Sequence, residues 1–252
     1  MTQAVKSIIR VFWGLYALAA FGCMVLITTL LVAVIPGLGT RRRLARLCAR
    51  SIFRVTGIKL KVNAAELLPQ GACVVIANHA SYLDGVILTA ALPANFSFVI
   101  KREMTGVPLA HLLLRRLGSE FVERSNRHRS AQDARRIRRN ADRGQALAFF
   151  PEGTFVAEPG LGRFRNGAFA TAARTGLPIV PVIIRGAREI LPAKRWLPRP
   201  GNLEVTLTPP IHLAETDSGH TARALLSESR ARMVDLIDEP DLLAGRLGND
   251  GV

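Results

Sequence analysis

The chain has 252 residues, 49% of them hydrophobic and 21% charged, which excludes a disordered or collagen-like protein and leaves room for one domain with an appendage. Lys and Arg total 34 against 19 Asp and Glu, a formal net charge of +15. That balance points to a polyanionic partner: nucleic acid, an anionic membrane surface, or an acidic substrate or carrier.

Residues Val11 to Ile35 form an apolar run without a single charge. As a helix it covers about 37 Å at ~1.5 Å per residue, against a hydrocarbon core ~30 Å thick. A signal peptide would have a shorter apolar region and a small-residue cleavage site. This run instead ends in Pro36-Gly37 followed by Arg41, Arg42 and Arg43. It reads as a membrane-embedded anchor. Lys6 and Arg10 precede it, and Arg46, Arg50 and Arg54 extend the basic side that follows. The positive-inside rule places that richer side in the cytoplasm. A helix pair that dips into one leaflet and returns satisfies the same pattern, so both topologies stay open. Leu44, Leu47, Ile52, Phe53 and Val55 interleave with the arginines, as in a basic amphipathic interfacial helix.

After Arg54 the pattern changes to alternating strands and helices. Strands are expected at 57–62, 72–77, 96–100, 119–123, 146–150, 179–184 and 203–207, from short apolar or alternating runs. Helices are expected at 84–92, 108–117, 128–143, 167–174 and 221–237, several closed by Gly or Pro. The expected organisation is an anchor with its basic helix at 1–55, a catalytic domain at 56–238 and a flexible tail at 239–252. The fold class is α/β: a mixed, largely parallel sheet flanked by helices, with an N-terminal helical membrane anchor. Cys23, Cys48 and Cys73 are too few and scattered for a disulfide framework. Neither C-x-x-C nor H-x-x-x-H occurs, so no metal site and no bound cofactor are expected.

Ligands in open α/β sheets sit beyond the carboxyl ends of strands. One such loop reads NHASYLD, residues 78–84. Asp84 can fold back to accept the Nδ1 proton of His79 and leave Nε2 as a general base. Base and orienting carboxylate make two thirds of a triad. No G-x-S-x-G elbow is present, and nothing marks Ser81 as activated. The base would then act on a hydroxyl of the substrate, with no covalent enzyme intermediate. The blander alternative is a pair of caps on a strand end and a helix start. A second loop, FPEGTF at 150–155, offers a carboxylate, a close-approach backbone and a hydroxyl in Glu152, Gly153 and Thr154, or simply a turn. Arg124 in FVER and Arg165 in GRFRNGAF suit a phosphate, or are solvated arginines.

Taken in order, NHASYLD, KREM with FVER, FPEGTF with GRFRNGAF, and IVPVII resemble the membrane-bound 1-acyl-sn-glycerol-3-phosphate acyltransferases. The resemblance covers about residues 55–210. It implies catalysis by His79 and Asp84, with His79 deprotonating the acceptor hydroxyl for attack on an acyl thioester. It implies acceptor binding by Asn78, Arg124, Glu152, Gly153 and Thr154, with Lys101 and Arg165 as further anion contacts. The implied partners are a lysophospholipid acceptor, an acyl-CoA or acyl carrier protein donor, and an anionic membrane surface, at a bacterial inner membrane with the site on its cytoplasmic face. The implied product is phosphatidate. Pro181 in IVPVII implies contact with the acyl-donor side or packing; as a strand proline it also fits an edge or a bulge. Many family members carry a basic residue after the Gly-Thr pair, where this chain has Phe155. A different head group, as in a lyso-ornithine lipid, therefore fits the same chemistry.

Two rivals belong to other classes. A lipid A acyltransferase shares the H-x-x-x-x-D spacing, but FPEGTF argues against it. A non-catalytic scaffold would use the basic segment 127–143 to hold nucleic acid or acidic proteins. That segment lacks interleaved aromatics and any base-reading module, so lipid or acidic carrier protein is the better partner and nucleic acid is not expected.

Overall fold

A computed structural model describes residues 3–123, 127–213 and 221–243. Arg124, one of the expected phosphate contacts, lies outside the described residues. The strands are β1 (Lys59–Asn63), β2 (Val74–Ala77), β3 (Phe96–Lys101), β4 (Glu120–Val122), β5 (Ala146–Phe149), β6 (Ile179–Arg185) and β7 (Asn202–Leu207). They form one sheet in the order β1-β7-β6-β2-β5-β3-β4. Every neighbouring pair is parallel except β6 with β7. The expected mixed, largely parallel sheet is therefore present.

The helices are α1 (Gln3–Val34), α2 (Leu38–Thr56), α3 (Asp84–Ala91), α4 (Pro108–Arg116), α5 (Arg127–Asp142), α6 (Gly167–Thr175), α7 (Ala187–Ile190) and α8 (Thr221–Leu236). Strand alternation sends side chains to opposite faces. Val75, Ala77, Ala148 and Val182 meet Ile52 and Phe53 of α2 and Ile87 and Leu88 of α3. Val74, Ile76, Leu147 and Ile183 meet Ile137 of α5, Phe169 of α6 and Met233 of α8. The central strands are buried on both faces, which is why they read as unbroken apolar runs rather than alternating ones.

Pro181 lies inside β6, between β2 and β7, and not at an edge. The ladder with β7 begins only at Val182 opposite Leu207. At Pro181 the β7 side needs no proline N–H. The carbonyl of Pro181 accepts from the N–H and hydroxyl of Thr208, both at 3.0 Å. Within the segment expected as a tail, residues 239–242 contact the domain. Glu239 pairs with Arg188, the Leu161 N–H donates to the Pro240 carbonyl at 2.9 Å, and the Leu242 N–H donates to the Leu161 carbonyl at 3.3 Å. Residues 244–252 lie outside the described residues.

Helices α1 and α2 form an antiparallel hairpin about Pro36-Gly37, where Gly37 takes φ +80°. At its far end Tyr16 donates to the carbonyl of Val55 at 2.9 Å. One stripe of α1 faces the protein through Gly14, Ala17, Phe21, Met24, Thr28 and Val32. Its other face exposes Phe12, Leu15, Leu18, Leu26, Ile27 and Leu30. Arginines lock the hairpin to the domain. Arg116 of α4 donates to the carbonyls of Val32, Ala33 and Ile35, the orphan acceptors at the C-terminus of α1. Arg42 of α2 enters the domain and donates to Leu117 and Asn95 carbonyls at 2.9 and 3.0 Å, and to Ser97 Oγ.

Removing a buried guanidinium leaves several acceptors unpaired. Arg42→Ala should destabilise the fold by about 1–3 kcal/mol or more in chemical denaturation, the range for leaving buried acceptors unpaired. Arg43→Ala, at an exposed neighbour, should stay within about 0.5 kcal/mol. Equal effects of the two would refute the anchoring role of Arg42.

Candidate active site

Strands β6, β2, β5, β3 and β4 run in one direction, so their carboxyl ends share one edge of the sheet. The loop after β2 and the loop after β5 are neighbours there. Asn78 leaves β2 with its amide nearly fully buried. It donates to the carbonyl of Ile184 at 2.9 Å and accepts from the Ile184 N–H at 2.7 Å. These bonds fix the start of the loop against β6, so the side chain serves the backbone.

His79 follows, and its Nδ1 lies 2.8 Å from Asp84 Oδ2. The same oxygen accepts the N–H groups of Ala80 at 2.7 Å and Ser81 at 2.8 Å. Asp84 opens α3 and is fully buried. A buried carboxylate of this kind needs donors to offset its desolvation, and Oδ2 collects three. The acceptor at Nδ1 sets the imidazole tautomer and presents Nε2 as the basic nitrogen. Ser81 is buried and donates its hydroxyl to the carbonyl of Leu191 at 2.7 Å, so it is occupied as a turn residue and is not an activated nucleophile.

Glu152 approaches from the loop after β5. Its Oε1 accepts the backbone N–H of His79 at 2.7 Å, and its Oε2 accepts the N–H of Gly162 at 2.7 Å. The carboxylate therefore ties the histidine turn to the Gly162 segment. A methyl group on Gly162 would stand 2.7 Å from Oε2, so the bridge requires glycine there. Gly153 turns the loop at φ +79° and donates its N–H to the Phe150 carbonyl at 3.0 Å. Burial pushes the Glu152 carboxyl above the usual glutamate range, opposed by the two N–H donors and by the charges of His79 and Arg188. Arg188 is itself buried in a bidentate pair with Glu239.

Aromatic rings surround the base. Phe150 stacks on His79 at 4.4 Å between centroids, and Phe155 lies at 4.6 Å, tilted by 56°. Tyr82 meets Phe155 edge-on and is exposed. The sequence reading missed this enclosure and the Gly162 contact. The aromatic residues stand beside the histidine and acid motifs, which was their only signal.

The remaining expected residues are spread along the same edge. Thr154 is exposed on the Glu152 loop. Lys101 ends β3, half-buried, one strand beyond β5. Arg165 is exposed, while its backbone N–H donates to the Pro151 carbonyl at 2.8 Å and holds its segment under the loop. Among the described residues, no hydrogen bond or ion pair joins the Lys101 or Arg165 side chain to the His79 cluster. Also among the described residues, no group of three or more His, Cys, Asp or Glu is arranged to hold a metal ion.

Asp84→Asn keeps an oxygen for the three donors but places an NH2 group at Oδ1, which has no partner among the described residues. The variant should fold with about 1–3 kcal/mol less stability. It should lose roughly 10²–10⁴ in kcat, because no anion then balances the imidazolium. Near-normal turnover would sink the assignment of Asp84.

The raised Glu152 pKa has a defined sign. The folded chain holds this proton more tightly than the unfolded chain. Stability therefore falls as pH rises from the ordinary glutamate value through the raised one. Glu152→Gln removes that slope from thermal unfolding profiles. It also turns an NH2 group toward one of the two N–H donors, which should lower kcat/KM by roughly 10–100-fold through misplacement of His79. An unfolding slope identical to wild type across that window would refute the shift.

The sequence profile of the Acyltransferase family matches residues 59–185. The chloroplastic 1-acyl-sn-glycerol-3-phosphate acyltransferase LPAT1 of Arabidopsis thaliana is 28% identical over 183 residues, which cover 71% of this chain and 49% of the relative. The 1-acyl-sn-glycerol-3-phosphate acyltransferase of Pseudomonas aeruginosa is 28% identical over 186 residues, covering 71% of this chain and 72% of the relative. This chain spans about half the length of the chloroplastic relatives it matches. The crystal structure of the 1-acyl-sn-glycerophosphate acyltransferase PlsC from Thermotoga maritima shares the fold, with a TM-score of 0.72 at 21% identity, covering 92% of this chain and 97% of that one. With its profile match spanning the sheet from β1 to β6 and the His79–Asp84 pair at the carboxyl end of β2, the chain belongs to the Acyltransferase family.

Proposed function

We propose that the chain is a membrane-bound 1-acyl-sn-glycerol-3-phosphate O-acyltransferase. It would move a fatty acyl group from acyl-CoA or acyl carrier protein to the sn-2 hydroxyl of lysophosphatidate. The observation that carries the reading is His79 Nδ1 held 2.8 Å from buried Asp84, with Ser81 occupied elsewhere. The names of the curated relatives supply the substrate class.

In this mechanism Nε2 takes the acceptor's hydroxyl proton as the oxygen attacks the thioester carbonyl. The tetrahedral intermediate collapses, the C–S bond breaks, and the imidazolium returns the proton to the thiolate. Asp84 stabilises the imidazolium between these steps. Phe150 and Phe155 exclude water from the base, which protects the thioester from hydrolysis. Glu152 acts through the His79 backbone as a positioning residue. The phosphate of the acceptor would draw on Lys101 and Arg165 on the same sheet edge and, as the resemblance implies, on Arg124, with Thr154 as a hydroxyl contact.

Helix α1 would lie in one leaflet as half of the hairpin rather than cross the bilayer. Its inward stripe is packed on the domain, and only its outer face is free for lipid. The basic side of the hairpin favours the cytoplasmic leaflet. Exposed Arg135, Arg138 and Arg139 of α5 offer a cationic surface for an acidic carrier or lipid. Phe155 beside His79 favours a second reading within the same chemistry, a lysolipid whose polar head needs no cation at that position.

Purified protein in mixed micelles, given oleoyl-CoA and radiolabelled lysophosphatidate, should yield phosphatidate. His79→Ala should retain about 10⁻³ of that rate or less, the scale of losing a catalytic base. An active, folded His79→Ala protein would overturn the mechanism. Product only with other lysolipids, or only with acyl carrier protein as donor carrier, would redirect the substrate assignment and leave the base in place.

A further inference from the structure

The segment LPAKRWLPRP, residues 191–200, joins α7 to β7. Trp196 in it is 86% exposed, more than any other large apolar residue among those described. A lone exposed apolar side chain needs no explanation. This one sits on a built loop. The N–H of Arg199 donates to the Ile190 carbonyl at 2.9 Å, and that of Arg195 to Pro192 at 3.3 Å. Lys194 adopts φ +67°, a conformation unfavourable for a side-chain-bearing residue, in the turn just before the indole.

The same loop touches both the anchor and the catalytic turn. A methyl group on Gly14 of α1 would stand 2.9 Å from the Pro198 carbonyl and 3.3 Å from Leu197 Cβ. On either side of Gly14, the lipid-type face of α1 exposes Phe12 and Leu15. At the other end of the loop, the Leu191 carbonyl holds the Ser81 hydroxyl, two residues from His79. Lys194 and Arg199 are exposed beside the indole, and Arg195 is half-buried.

An exposed tryptophan among cations, continuous with an apolar helix face, matches the polar–apolar boundary of a bilayer. We propose that loop 191–200 is a second membrane contact. Trp196 enters the headgroup region, and Lys194 and Arg199 face anionic lipid phosphates. The contact seats the bilayer surface beside the His79 turn, so an acceptor can reach the base with its acyl chain still in the leaflet. This inference rests on the reading of α1 as membrane-embedded.

The chain has two tryptophans, so Trp13→Phe leaves Trp196 as the sole indole. The full-length variant is reconstituted with vesicles of phosphatidylcholine and phosphatidylglycerol. Flotation reports membrane association, and Trp196 fluorescence is quenched by either brominated lipid or aqueous acrylamide. Blue-shifted emission, quenched several-fold more by brominated lipid than by acrylamide, is the expected result. Flotation with water-like emission and dominant acrylamide quenching would overturn the loop contact and leave the α1 reading standing. Absence of flotation would overturn both. An equal blue shift in pure phosphatidylcholine vesicles would overturn the role of the cations. The difference spectrum between wild type and Trp196→Phe isolates the same indole with Trp13 kept, should Trp13→Phe fold poorly.

Discussion

A carboxylate removed from water must be met by donors, and Asp84 meets three of them on one oxygen. Two are backbone groups of the residues that follow His79. The third is the imidazole. Satisfying the buried charge and bending the chain into its turn are therefore one event. The imidazole cannot rotate away without leaving the anion short of a donor. The rest of the site is arranged on this constraint. Asn78 fixes the loop where it leaves the sheet, and Ser81 fixes it where it approaches α3.

Glu152 extends the same logic across the sheet. Its two oxygens accept N–H groups from segments far apart in sequence, at His79 and Gly162. Family resemblance implies a substrate contact for it. Its geometry also makes it a clasp that holds the His79 turn against the Gly162 segment. Burial without a direct ionic partner leaves its carboxyl easier to protonate than usual, and Arg188 opposes this from beneath. Arg188 is in turn held by Glu239, so the first residues after α8 are linked to the candidate site's loops. The same segment meets Leu161 through the Pro240 carbonyl and the Leu242 N–H.

The sheet was largely legible because its central strands are apolar on both faces and bounded by Gly, Pro and Asn. The pair His79 and Asp84 was legible because a single strand-to-helix turn carries both. What escaped was long-range. Nothing near Pro181 in sequence says that the β7 ladder starts only at Val182, or that Thr208 donates to the Pro181 carbonyl. Nothing near Gly162 says that Glu152 needs its N–H. The aromatic residues around His79 resemble core residues until the two loops are placed side by side. The run from Val11 to Ile35 shows no helical face in sequence, because both its lipid-type side and its protein side are apolar. Only packing separates Ala17 and Val32, which are buried, from Phe12 and Leu30, which are not.

Net charge was the least specific guide, because many arginines here are interior hardware. Arg42 and Arg116 spend their guanidinium groups on backbone carbonyls that join the hairpin to the domain. Arg230 reaches the carbonyls of Leu161 and Gly162 and pairs with Asp241. Arg136 is held by Glu120 and Asp133. A lysine carries its three donors on one compact head and serves only acceptors that converge there, whereas the planar fork of arginine spans acceptors set apart. Among the arginines left outside are Arg43 and Arg54 on α2, Arg135, Arg138 and Arg139 on α5, Arg165 beside the Glu152 loop, and Arg199 on the Trp196 loop. The formal +15 thus overstates the free cationic surface. It is the exposed arginines, not the total, that the proposed lipid surface or acidic carrier would meet.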